Sequence, residues 1–177
     1  MKKIQLSVIV VASLGLSALA AAETGKGRPF KVELGAYFPS FSEAGISKKT
    51  GATFAFGYNF KNENSDAKMP VQLGLELRGS SFKASDATDE ATITISQFLA
   101  NADLSSPDGK LFYGVHLGFG KGSASSGNVT VSDDKTRFVY GAHVGYNFSP
   151  TVYGIAHYTT ASQEVYRGFS VAVGYRF

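Results

Sequence analysis

The chain of 177 residues contains no cysteine and no tryptophan. Without cysteine there can be no disulfide framework, no thiolate metal site and no lipid-modified Cys. After the N-terminal segment no apolar run is long enough for a transmembrane helix. There is also no basic tract and no basic patch interleaved with aromatics, so a nucleic-acid partner is not expected. Nothing reads as a catalytic carboxylate pair. The one glycine-rich stretch that hints at a phosphate loop, Gly118-Phe119-Gly120-Lys121-Gly122-Ser123, has the wrong spacing and no helical pattern after it.

What is present begins with a secretory signal. Lys2 and Lys3 form a positive end, residues 4–19 an apolar stretch, and Ala18-Leu19-Ala20-Ala21-Ala22 supplies small residues for cleavage, before Glu23 or Ala21. This divides the chain into a signal peptide at 1–22, a polar lead-in at 23–29 and one domain at 30–177. Cleavage removes two of the 17 basic residues and none of the 14 acidic ones, leaving a charge of about +1. The high precursor pI therefore carries no message about a partner.

The last ten residues set the pattern for the domain. Phe169, Val171, Val173, Tyr175 and Phe177 fall on one face, and Gly168, Ser170, Ala172, Gly174 and Arg176 on the other. Strand side chains point alternately to opposite faces, so this is a strand with one oily side. Seven earlier segments are of similar length, most with the same alternation: 30–38, 52–60, 71–80, 91–104, 111–120, 136–148 and 152–159. In the fourth, Ile93 and Ile95 follow one parity and Phe98, Ala100, Ala102 and Leu104 the other. A bulge near Ser96-Gln97 would reconcile them. The seventh has weak parity.

Strands of about ten residues match a tilted crossing of a bilayer. A membrane sheet must close on itself, because lipid cannot satisfy an open edge. The oily faces are large and aromatic at their ends. The other faces are mostly Gly, Ala, Ser and Asn with a few charges. A lipocalin-like soluble barrel would need the reverse. The expected fold is therefore all-β: an eight-stranded antiparallel up-and-down transmembrane β-barrel preceded by a cleaved signal peptide. Short periplasmic turns alternate with longer outer loops, of which 39–49, 121–135 and 160–167 stand out.

On this pattern the sequence resembles the small eight-stranded outer-membrane β-barrel proteins of Gram-negative bacteria. The resemblance is sharpest in the last strand, where Ser170, Ala172, Tyr175 and Phe177 fall on the positions of the family's assembly signal, with Ala172 where glycine is usual. It implies residence in the cell outer membrane, contact with outer-membrane lipid, and recognition by the outer-membrane assembly machinery. It also implies a monomer with a structural or adhesion role and an extracellular ligand met through the loops. No cofactor and no catalysis are expected.

Several interior residues invite chemistry. Glu33, Glu76, Arg78 and Arg176 are inward-facing charges, expected to pair in a network that plugs the lumen. His116 and His143 reach one depth if their strands pair in register. A three-residue turn at 149–151 would put His157 opposite His143, whereas a two-residue turn would send it to the lipid. The three histidines are read either as hydrogen-bonded polar filler or as a weak metal site. His157-Tyr158-Thr159 resembles the His-x-Ser pair of lipid A deacylases, with Thr159 in place of serine. Arg167 stands where their glutamate is expected, and Glu164 lies in the loop. A membrane hydrolase is accordingly one alternative, and a narrow pore another.

Overall fold

The computed structural model describes residues 28–42, 45–60, 70–86, 89–127, 129–133 and 135–177. The expected signal peptide, most of the lead-in and the turn at 61–69 lie outside the described residues. Ten strands form one antiparallel sheet: β1 (Phe30–Pro39), β2 (Ser47–Lys48), β3 (Gly51–Asn59), β4 (Val71–Ser85), β5 (Glu90–Ser105), β6 (Leu111–Ser126), β7 (Val129–Ser132), β8 (Arg137–Asn147), β9 (Val152–Ala161) and β10 (Gly168–Arg176). Eight of them close a cylinder. β1 pairs with both β3 and β10, and the circuit runs on through β4, β5, β6, β8 and β9. The seam extends to the terminus: Phe30 and Phe177 exchange backbone hydrogen bonds of 3.2 and 3.0 Å. β2 and β7 are short additions, to β4 and β6 respectively. No helix among the described residues is long and apolar enough to cross a membrane.

The oily faces point outward. Leu34, Leu77, Val115, Leu117 and Val173 are all more than half exposed. Apolar exposure on that scale around a whole cylinder is stable only in lipid. Two aromatic belts bound the band. Phe38, Phe98, Phe119, Phe138, Tyr140, Tyr158 and Phe169 lie toward the outer end; Tyr58, Phe60, Tyr113, Tyr146, Phe148 and Tyr175 lie toward the periplasmic end. Aromatic rings favour the water–lipid interface because one edge is apolar and the other tolerates water.

β4, β5 and β6, of 15, 16 and 16 residues, overrun the roughly 9–11 residues a crossing needs. Their upper parts stand outside the bilayer, and on β4 and β5 the parity of the apolar residues reverses there. Below, Leu73, Leu75 and Leu77 of β4 face out; above, Phe82 and Ala84 face in and are buried. On β5, Phe98 faces out, while Ile95, at 1% exposure, faces in. The β4–β5 register runs without interruption from Ser85↔Glu90 to Val71↔Leu104, so the expected bulge at Ser96-Gln97 does not exist. The solvent changed, not the strand: outward positions meet lipid below and water above. The segment 121–135 is likewise not a plain loop. β6 continues to Ser126 and pairs with β7. Its Gly- and Ser-rich composition suits a strand in water as well as a loop. β9 carries Tyr153 and Ile155 inward, which accounts for the weak parity of that segment.

The lumen is filled at three levels. At the outer mouth an apolar plug joins Tyr37, Phe82, Ile95, Leu99, Val139 and Ala161 to Phe41 and to Tyr166, from the 3₁₀ turn Glu164–Tyr166. Each large apolar side chain buried there contributes roughly 1.5–3 kcal/mol. The middle is polar. The periplasmic level packs Phe112 edge-on against Tyr153, with ring centroids 5.6 Å apart, beside Ile155 and Ala172.

Candidate functional site

The middle of the lumen is built from inward positions on six of the eight barrel strands, β1, β4, β5, β6, β8 and β9. Glu76 is its hub. One carboxylate oxygen accepts from Arg78 Nε at 2.9 Å and Nη2 at 2.5 Å. The other lies 2.8 Å from Lys31 Nζ and accepts from Asn101 Nδ2 at 3.2 Å. Glu33 Oε1 accepts from the Tyr153 hydroxyl at 2.9 Å and lies 3.5 Å from Lys31 Nζ. Its Oε2 takes His157 Nε2 at 3.0 Å. Buried ions persist only when paired and hydrogen-bonded on most sides, as these are.

Glu33, Glu76 and Arg78 thus meet as one cluster. Arg176 does not join it. Its guanidinium stacks 4.1 Å above the Tyr153 ring and 5.3 Å from Phe112, and donates to Asn147 Oδ1 at 2.7 Å, one level closer to the periplasm. The second cation paired with the carboxylates, beside Arg78, is Lys31, which sequence reasoning left out. The signal was available: Lys31 shares the inward parity of Glu33. Tyr153 was hidden by the weak parity of its strand. Asp103 and Asn101 share the inward parity of Gln97 and Leu99.

The histidines come together by unequal routes. The β8–β9 register pairs His143 with His157, across a turn in which Phe148 N donates to Val152 O at 3.0 Å. His116 and His143 are not level. β6 and β8 pair with a two-residue offset, so His116 lies opposite Gly141 and His143 opposite Gly114. Those glycines give the rings their room: a Cβ on Gly141 would lie 2.6 Å from His116 Nε2, and one on Gly114 would lie 2.7 Å from His143 Nε2. The His116 and His143 rings stack with centroids 5.8 Å apart, and His143 and His157 lie 5.4 Å apart. One nitrogen from each of the three falls within 4.8 Å of the others.

His157 and Thr159 both face the lumen and are 3% and 4% exposed. The Thr159 hydroxyl engages His116 Nε2 at 2.9 Å and Arg78 Nη1 at 3.4 Å rather than His157. A lipid acyl chain outside the barrel has no approach to it. Glu164 lies at the outer surface, 3.5 Å from Arg167 Nη1. His157 and Thr159 thus lie in the packed lumen, off the lipid face.

On the last strand, Ser170 and Ala172 face inward and are buried, opposite His157 and Ile155 of β9. Tyr175 faces lipid. Phe177 is 5% exposed, stacked on Phe30 and Tyr175 with centroids 5.9 and 6.2 Å away.

Above the bilayer, β2, β4, β5, β6 and β7 form a small sheet in water. Lys49, just past the end of β2, and Lys83 of β4 converge on Glu90 at 2.7 and 2.6 Å. Those two hydrogen bonds, aided by the lysine charges, lower the Glu90 carboxyl to about 2. One carboxylate between two lysines leaves the cluster positive.

The sequence matches the family model "Outer membrane protein beta-barrel domain" over residues 8–177. No curated protein sequence is a significant match. Among solved structures, the chain resembles the crystal structure of Ail, the attachment invasion locus protein of Yersinia pestis. The identity is 19%, with 85% of this chain and 100% of that one covered, at a TM-score of 0.56. Ail in a phospholipid bilayer nanodisc gives 19%, the same coverage and a TM-score of 0.53. Ail in complex with the heparin analogue sucrose octasulfate gives 18%, the same coverage and 0.54.

Proposed function

The chain belongs to the outer membrane protein β-barrel domain family, and on that premise we propose that this bacterial outer-membrane protein works as a surface adhesin, holding an anionic extracellular glycan on its outer sheet. One observation carries the reading: β4, β5 and β6 continue well beyond the lipid as an ordered, paired sheet, while the lumen beneath is packed shut. A barrel whose role was only to sit in the membrane has no use for that extension. The filled centre gives a solute no route through.

The ligand class follows from the outward face. Lys83 and Lys121 stand there among Ser81, Thr92, Thr94, Ser96, Ser123 and Ser125, with Lys49 at the neighbouring edge. Ammonium groups flanked by hydroxyls suit sulfates or carboxylates on a sugar chain. The fold-level likeness to Ail, recorded with a heparin analogue, supports trying a sulfated glycan first.

The test is calorimetric titration of heparin into the protein held in lipid nanodiscs, at low and at high ionic strength. Saturable, salt-sensitive binding is expected, with a loss of about tenfold or more in a Lys49→Gln/Lys83→Gln/Lys121→Gln variant. Absence of saturable binding at low salt, or equal binding by the variant, overturns the reading.

A further inference from the structure

We propose that the three lumen histidines, His116, His143 and His157, form a binding site for one transition-metal ion of the zinc class, held through their Nδ1 atoms. The first ground is the state of their other nitrogens. His143 Nε2 lies 2.7 Å from Asp103 Oδ1, and His157 Nε2 lies 3.0 Å from Glu33 Oε2. A carboxylate only accepts, so both Nε2 atoms carry the proton and both Nδ1 atoms present a bare lone pair. His116 Nε2 lies 2.9 Å from the Thr159 hydroxyl, which accepts from Arg78 Nη1 at 3.4 Å and can either donate to or accept from the ring. Accepting from the ring puts the proton on Nε2 and leaves Nδ1 free, as in the other two. Imidazoles fixed from behind by carboxylate or hydroxyl, with the opposite nitrogen free, are the arrangement by which proteins orient metal-binding histidines.

The second ground is independent. His116 Nδ1 and His143 Nδ1 are buried and have no hydrogen-bond partner, and the two residues are 1% and 6% exposed. Buried polar atoms almost always find a partner. Two orphan lone pairs on adjacent stacked rings call for a shared electrophile. The third lone pair, on His157, faces Arg78 Nη2 at 2.9 Å. That guanidinium is already held twice by Glu76 and loses little by ceding the contact.

Charge permits the ion. Glu33, Glu76 and Asp103 bring three carboxylates to this level, against the two cations Lys31 and Arg78. Uncharged imidazoles then leave the level with an excess negative charge. Geometry asks for a small adjustment. Zinc at about 2.0–2.1 Å from each nitrogen sets them about 3.3 Å apart. One ring nitrogen of each histidine lies within 4.8 Å of the other two, and closing a triangle of that size to the zinc spacing takes less than about 1 Å of movement per ring. Three imidazoles with no thiolate or thioether select zinc, cobalt, nickel or copper over magnesium or calcium. The packed levels above and below make assembly, rather than later diffusion, the moment of loading.

The experiment uses the full mature protein, refolded into detergent with a chelator or with Co²⁺ and then desalted. One cobalt per chain with the intense visible absorption of a four-coordinate site is expected after refolding with the ion. His116→Gln/His143→Gln should lose it while still showing the gel shift on heating that marks a folded barrel. A cadmium NMR spectrum of the wild-type protein with isotope-labelled histidine needs no variant, and should show coupling to Nδ1 nitrogens. Cobalt retained by the double variant, no cobalt retained by the wild-type barrel, or cadmium coupled to no imidazole nitrogen would each overturn the site.

Discussion

Lys31 of β1 and Glu76 of β4 form an ion pair of 2.8 Å although the whole of β3 lies between their strands. The lysine reaches across because Gly57, its partner on β3, has no side chain. A Cβ there would sit 2.9 Å from Lys31 Cγ and closer still to Cε. The pair thus rests on a third residue that carries no charge at all.

Removing Glu76 should therefore destabilise the barrel strongly. Lys31 and Arg78 would both be left buried without the carboxylate that holds them, and breaking a buried pair from one side typically costs about 3–5 kcal/mol. Glu76→Ala should show that loss in reversible urea unfolding in lipid vesicles. Gly57→Val should reproduce most of it without touching a charge, by pushing Lys31 off its path. A Gly57→Val protein as stable as the wild type would show that the route across β3 does not matter.

Much of this interior was legible from alternation alone. Inward parity placed Glu33, Glu76, Arg78, His116 and His143 inside before any fold was known, and Lys31 could have been added by the same rule. What alternation did not carry was the stagger between strands. The two-residue offset of β6 against β8 decides that His116 meets Gly141 instead of His143. The ends of Leu111 and Phe148 say nothing of it, because register is fixed by the turn and its backbone bonds, such as Asn147 N to Lys110 O at 2.7 Å. The apparent parity break in 91–104 misled for another reason. A periodic pattern reports which face is apolar, and that face switches when a strand leaves lipid for water.

Glu90, exposed above the membrane, should titrate abnormally. The Glu90 carboxyl is lowered from 4.5 to about 2 by its hydrogen bonds from Lys49 and Lys83. A lowered carboxylate adds stability above its unfolded value and loses it as pH falls toward the folded one. The sheet end should hold at pH 5 and loosen between about pH 4 and 2. Side-chain carboxyl NMR should find Glu90 titrating well below the ordinary glutamate range. Lys49→Met/Lys83→Met should return it to the ordinary range, and a Glu90 titrating normally in the wild-type protein would contradict the contact.

The terminal residue should matter twice, and to different degrees. Phe177→Ala keeps the backbone exchange with Phe30 but removes two ring contacts. Refolding in detergent should still give the heat-modifiable barrel with a modestly lower unfolding midpoint. The amount reaching the outer membrane of cells should fall by about tenfold, if Phe177 with Tyr175 is what the assembly machinery reads. Equal losses in the two assays would assign Phe177 to stability alone.

The reversal of apolar parity on β4 and β5 places the outer membrane boundary just above the row Phe98, Phe119 and Phe138, which the register sets side by side. Leu117 lies below that row, outward and 52% exposed. Thr94 lies above it, outward in the extracellular sheet. The same charge should then have opposite consequences at two sites that look equally exposed. Leu117→Arg puts a cation against hydrocarbon, at a cost of about 2–4 kcal/mol near the midplane. Thr94→Arg puts it in water and should change little. Urea unfolding of both variants in vesicles measures the difference directly. A costly Thr94→Arg would move the boundary outward and make the upper sheet part of the membrane span. A harmless Leu117→Arg would remove the ground for placing lipid around this face at all.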